Sequence, residues 1–204
     1  MPELCLRACA RACRAAGAWH VLRNLVLVAL AFTLCGGTAF AAPFEFHYTE
    51  VVAVEGHYVL NAAISGEAPA RLEELVQAGV SVPFNVEFVL RRPRWWWFDE
   101  VIVERVMELK LSYHALTRQY RLGSDGLYRS FTSFEQAFAA LRSVRNWVVV
   151  DRGVLQDGES YNAALRIRLD MSQLPKPFQV AAIGSRDLDL TSAWSRWTFM
   201  AGAR

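Results

Sequence analysis

A mainly β fold, an antiparallel β-sandwich with two short helices packed on it, is the class this sequence predicts, and three observations predict it. Short runs rich in β-branched and aromatic residues recur between turn signals. From Val101 to Leu111 and from Tyr161 to Asp170, apolar and polar residues alternate with the period of two of a half-buried strand. Helical patterns are too few to alternate with strands, as a parallel α/β sheet would require. There is no internal repeat and no low-complexity segment.

The first forty-odd residues differ in kind from the rest. Arg7, Arg11, Arg14 and Arg23 form a basic region with one acid, Glu3. The run Leu25–Cys35 then has the apolar core of a signal peptide, and Ala39-Phe40-Ala41 has the small-x-small pattern of a cleavage site. The run is shorter than the roughly 20 residues of a membrane span. We therefore expect a signal peptide over 1–41, cleavage after Ala41, a periplasmic protein, and a single β-sandwich domain over 42–204. Cys5, Cys9, Cys13 and Cys35 all precede that site, so disulfides and thiol chemistry are excluded from an exported chain. Removing four arginines and Glu3 from 22 basic and 20 acidic residues leaves 18 and 19, a net charge near −1. A nucleic-acid partner loses its electrostatic motive.

In order, Phe46–Val54 and His57–Ile64 read as a hairpin around Glu55-Gly56. Pro69 opens a short helix carrying Leu72, Leu75 and Val76, and Gly79 stops it. Val82–Arg92 is a strand ended by Pro93, which cannot donate to a ladder. In the next strand Val101, Val103, Met107, Leu109 and Leu111 share one face, and Glu100, Glu104 and Glu108 share the other. Extended structure continues from Tyr113 to Leu122, and Gly123–Gly126 turns into a strand at Leu127–Phe131. Ser133 with Gln136 is a capping box, opening a helix with Phe134, Ala137, Phe138, Leu141 and Val144 on one face. Trp147–Val150 is a buried strand, and Asp157-Gly158 a turn before the alternating run from Tyr161. After Leu174-Pro175-Lys176-Pro177, strands are expected over Phe178–Ile183 and Asp189–Phe199.

The densest aromatic stretch is Arg91-Arg92-Pro93-Arg94-Trp95-Trp96-Trp97-Phe98. In a strand Trp95 and Trp97 would share one face, Trp96 and Phe98 the other. Large aromatics generally lie in cores, so burial is the first reading. The second is a binding surface, because exposed Trp and Arg mark interfaces. Trp194, Arg196 and Trp197 pose the same choice.

Catalytic signatures are missing from the sequence. No Gly-x-Ser-x-Gly elbow, phosphate-binding glycine loop or zinc-type spacing occurs, and His47, His57 and His114 are scattered. No cofactor or metal is therefore expected. Glu100, Glu104 and Glu108, roughly 6.5–7 Å apart along one strand face, suggest either a solvated row facing arginines such as Arg166 and Arg168 or paired carboxylates.

Several segments together resemble a known family: Trp95–Asp99, Leu111–Tyr120, Leu169-Asp170, Leu174–Gln179 and Trp194–Phe199. They are similar to the domain-of-unknown-function 4390 family, found mostly in proteobacteria, over roughly residues 45 to 200. The resemblance implies an exported protein with no assigned activity. It also implies an association with genes for membrane sensor kinases, and hence a signalling accessory. It supplies no catalytic residues.

The reading that follows is a non-enzymatic periplasmic binding module that contacts another envelope protein. Its candidate surface is Arg91, Arg92, Arg94, Trp95, Trp96, Trp97, Trp194, Arg196 and Trp197. The rival is a cell-wall glycan binder or hydrolase with Glu100 and Glu104 as carboxylates and Trp96 as a stacking platform; the spacing fits an inverting pair of about 6.5–9.5 Å. A third reading docks the domain at the membrane surface.

Overall fold

The structure is a computed structural model describing residues 44–96, 98–182 and 190–202. The expected signal peptide and its cleavage site, Trp97, and the stretch 183–189 between the last two expected strands lie outside the described residues. The chain divides after Ala41, and everything below belongs to the unit Ala42–Arg204. Among the described residues, no helix is long and apolar enough to cross a membrane.

Among the described residues, nine strands make two antiparallel sheets that form a β-sandwich. They are β1 (Glu45–Val54), β2 (His57–Ser65), β3 (Val82–Arg92), β4 (Glu100–His114), β5 (Gln119–Ser124), β6 (Leu127–Phe131), β7 (Ser143–Asp151), β8 (Ser160–Leu169) and β9 (Ser195–Met200). The smaller sheet runs β1-β2-β7 and the larger β6-β5-β4-β3-β8-β9. Three short helices join them: α1 (Ala70–Gln77), α2 (Phe134–Leu141) and α3 (Lys176–Ala182).

Alternation places the core. On β3, Val82, Phe84, Val86, Phe88 and Leu90 all face inward with no exposure. They meet Tyr58, Leu60, Ala62 and Ile64 of β2 in the same apolar cluster, as period-two burial on both inner faces demands. Phe88 meets Trp147 of β7 edge-on, with centroids 6.3 Å apart. Trp147 is therefore a bridge between the sheets, although Val148 beside it points outward and is half exposed.

The β1–β2 hairpin turns at Glu55-Gly56, with Gly56 at φ +81°. Asp125 and Gly126, at φ +49° and +80°, form the two-residue turn of β5–β6, and both positive angles match a type I′ turn. Gly123 and Ser124, expected in that turn, belong to β5. Gly126→Val should cost about 1–2 kcal/mol, because a side chain there enters left-handed space. Gly153→Ala, where φ is not positive and no atom lies within 4 Å of an added Cβ, is the neutral control. Equal denaturation midpoints for the two variants would contradict this assignment.

Ser133 caps α2 by accepting the Gln136 amide at 3.3 Å, as the capping box predicts. The Gln136 side chain instead accepts from Thr132 Oγ1 at 3.1 Å. The helix stops at Leu141, so Val144 is buried from β7 rather than from the helix. The expected strand at Phe178–Ile183 is a correction: Lys176–Ala182 is helix α3. Pro175 O accepts from the Phe178 and Gln179 amides, at 2.9 and 3.2 Å. Pro177 lacks only an N–H that the first helical turn leaves without a partner anyway. Among the described residues, this unit thus carries three α-helices where two are expected.

The buried amide of Asn85 is answered by a carboxylate. Asn85 donates to Asp170 at 3.2 Å, and Asp170 also accepts from Ser172 Oγ at 2.6 Å and Gln173 at 3.1 Å. The Ser172 hydroxyl, ahead of these other donors, holds the Asp170 carboxyl below its ordinary value, against the opposing effect of burial.

Candidate functional site

The Arg/Trp stretch is the tip of the β3–β4 hairpin. β3 ends at Arg92 and β4 begins at Glu100, so residues 93–99 are a loop, not a strand with two faces. The burial expected first for this cluster is overturned: Trp95 is 94 % exposed, Trp96 69 % and Phe98 85 %. Pro93 ends the ladder, so the rings of Trp95, Trp96 and Phe98 are not on a paired strand with an inner face to occupy. Trp95 and Trp96 lie against each other at 6.1 Å, with their planes 42° apart.

A register shift sets which charges accompany the tip. Leu90 pairs with Val103 but Arg91 with Val101, so Ile102 is an extra residue, a bulge in β4. Beyond it the faces exchange. Val101, expected on the core face, points outward and is 52 % exposed. Glu100 turns to the face of Arg92 and Leu90, while Glu104 stays with Val89 on the outer face. The row of three glutamates on one face is corrected accordingly, and Glu100 and Glu104 do not form a pair.

Glu100 is occupied by arginines. Arg94 Nη2 lies 2.5 Å from Glu100 Oε2, and Arg92 Nη1 4.0 Å from it. Arg92 also reaches Glu159 at 3.3 Å, with its guanidinium 5.9 Å from the centre of the fully buried Tyr161 ring. Tyr161 foremost, with the Glu159 and Glu100 carboxylates beside it, outweighs desolvation and pushes the Arg92 guanidinium above its ordinary value. Glu159 has no signal in the sequence, and Tyr161 shows there only as the start of the alternating run that becomes β8.

Arg91 and Arg196 are different. Neither has a carboxylate within salt-bridge range among the described residues. With Asp99, Asn162 and Thr198 they line a shallow hollow of about 240 Å3 behind the tip, where Arg91, Asn162 and Thr198 form one cross-strand row.

The second aromatic cluster divides. Trp194 lies under the Arg166 guanidinium at 4.4 Å. Trp197 turns inward against the core opposite Ala163, with its Nε1 buried and without a hydrogen-bond partner. Trp197 is thus partly buried, packing on the core while also lining the hollow with Arg91 and Arg196. Arg166 and Arg168 answer Glu87 of β3 rather than the β4 glutamates, at 2.5 Å each. Glu108 lies 3.3 Å from Lys110. His57 lies 3.0 Å from Asp151. Among the described residues no group of three His, Cys, Asp or Glu side chains is placed to hold a metal.

The segments of the family resemblance fall at structural joints as well as at the tip. Asp170 caps the end of β8, Gln179 ties α3 back to Ser172 O and Leu174 O at 2.8 and 2.7 Å, and Trp194 covers Arg166. No curated protein and no solved structure matches the chain. The family described as Domain of unknown function (DUF4390) matches residues 41–198. With three-quarters of its length matched, the chain belongs to that family.

Proposed function

We propose that this chain is a non-enzymatic binding module of the cell envelope, periplasmic after export, that docks on another protein through the β3–β4 tip. The observation that carries the reading is the exposure of Trp95, Trp96 and Phe98 side by side on one loop. Aromatic area of this kind, costly to hydrate, marks partner surfaces on soluble proteins. Trp and Arg are the residues that dominate interface energetics. The charges beside it favour a protein over an anionic bilayer. Arg92 and Arg94 are already neutralised by Glu100 and Glu159, leaving Arg91 and Arg196 as cations that line one hollow with Asp99. A partner offering an apolar pocket with an acidic rim fits this pattern, and the association with sensor-kinase genes that the resemblance implies is consistent with a membrane signalling protein. The glycan-hydrolase reading loses its carboxylate pair, since Glu100 and Glu104 lie on opposite faces.

In-cell photocrosslinking from position 96 of the full chain tests this. One predominant protein adduct is expected, cut at least tenfold by Trp95→Ala with Phe98→Ala. Position 116, on a 92 % exposed leucine in a different hairpin, should not give it. The same adduct from position 116, or an adduct indifferent to the two alanines, would remove the tip from the interface. Adducts to lipid alone would favour membrane docking.

A further inference from the structure

The sandwich is open along one side, and the opening is a second site. The larger sheet extends past the smaller: β6 is its last strand, β7 is the last strand of the other sheet, and the two do not pair. α2 crosses between them without closing the gap. A cleft of about 650 Å3 remains, within the range of roughly 300–1,000 Å3 typical of small-molecule pockets. Its floor is the inner face of the larger sheet, with Leu109 and Leu122 nearly buried and Phe131 partly so. Ala139 and Ala140 of α2 and Val144 of β7 form the wall, and the two alanines leave the space that larger side chains would fill.

Two guanidinium groups stand among these apolar residues. Arg129, on the inward row of β6 between Leu127 and Phe131, lies over the Phe131 ring at 5.4 Å. Arg145 donates from Nε to Ser143 Oγ at 3.0 Å. Neither has a carboxylate in range among the described residues, and Asp125 is the one acid lining the cleft. An apolar floor with two cations against one anion complements a ligand that is apolar along its length and negative at one end.

We propose that this cleft binds a single-chain anionic amphiphile, its hydrocarbon tail on Leu109, Leu122 and Phe131 and its acidic head at Arg129 and Arg145. The cleft shares no residue with the β3–β4 tip, so the assignment stands apart from the partner reading. Desolvation of the tail supplies affinity, and the arginines read the head through charge-assisted hydrogen bonds.

Dodecanoate is the probe, with dodecanol as its uncharged counterpart, each titrated into the purified full chain below micelle-forming concentration and followed by calorimetry. Saturable one-to-one binding of dodecanoate is expected, at least tenfold tighter than dodecanol. Arg129→Gln with Arg145→Gln should remove that preference while leaving dodecanol binding within about twofold. Ala140→Trp, which fills the cleft, should abolish both. Near-ultraviolet circular dichroism checks that each variant is folded, and Ala140→Leu, a smaller filling of the same wall, keeps the cleft test available if the tryptophan does not fold: it should weaken binding of both probes at least fivefold. Equal affinities for the two probes would overturn the role of the arginines. Binding that survives a folded Ala140→Trp, or the absence of dodecanoate binding, would overturn the site. In the latter case an extended peptide along the free edge of β7 becomes the occupant to test.

Discussion

Phe88→Ala is expected to destabilise the domain by about 3–5 kcal/mol, the usual range for deleting a buried phenylalanine without collapse of the space around it. Phe88 has no exposure and meets Trp147 edge-on across the gap between the sheets, so its removal strips contacts from both layers. β3 is also central: it pairs with β4 on one side and β8 on the other, and neither neighbour can move to fill a void without breaking a ladder. At about 2–4 °C per kcal/mol for a domain of this size, the melting temperature should fall by roughly 10 °C. Phe98→Ala, a deletion of the same atoms at an 85 % exposed site, should shift stability by less than about 0.5 kcal/mol. Similar melting temperatures for the two variants would contradict the placement of the core.

The second large effect belongs to Glu87, the acid at the centre of the outer face of the larger sheet. Its side chain is only 14 % exposed and accepts from both Arg166 and Arg168. Burial is the largest single influence and raises the carboxyl, but the hydrogen bonds and charges of the two arginines together outweigh it and hold the group below its ordinary value of 4.5. A carboxyl depressed on folding stabilises the native state fully above its unfolded value and loses that contribution as pH falls through the folded one. Glu87→Gln should therefore cost about 1–3 kcal/mol at pH 7, toward the lower end because the arginines are 29 and 41 % exposed. The gap between variant and parent should close as pH falls below 4.5. Urea midpoints at pH 7, 5 and 3 measure it, and a gap constant across that range would mean the pairs contribute nothing to folding.

Much of this architecture was legible because period-two burial leaves little freedom in sequence. The β1–β2 hairpin, β3, the later part of β4, and β8 could be read from alternation and turn residues alone. The Ser133 cap was legible for a different reason: one hydroxyl and one amide at fixed spacing decide it. What alternation could not carry was a change of phase. Val101, Ile102 and Val103 are three apolar residues in a row, and that break in the pattern was the only trace of the bulge that separates Glu100 from Glu104. Helix α3 was misread because β-branched and aromatic content in Phe178–Ile183 was weighed above the two prolines that start the helix. Composition gave no decision on the tryptophans either. The same ring areas suit a core or an interface, and only the position of Pro93 at the end of a strand determines that they leave the fold. The cleft was invisible for a related reason. Leu127, Arg129 and Phe131 alternate as any strand would, and the missing cover is a property of two sheets of unequal width.

The loop at residues 93–99 is bounded by paired strands on both sides, and Arg92 and Glu100 close it at its base. The exposed rings of Trp95 and Trp96 therefore add little to the core, and lengthening such a loop costs only fractions of a kcal/mol per added residue. On the proposed docking reading, recognition and folding are written in separate parts of this chain. A different tip could be grafted between Arg92 and Glu100 to redirect the domain to a new target, and selection can alter its preferences without first relaxing the core.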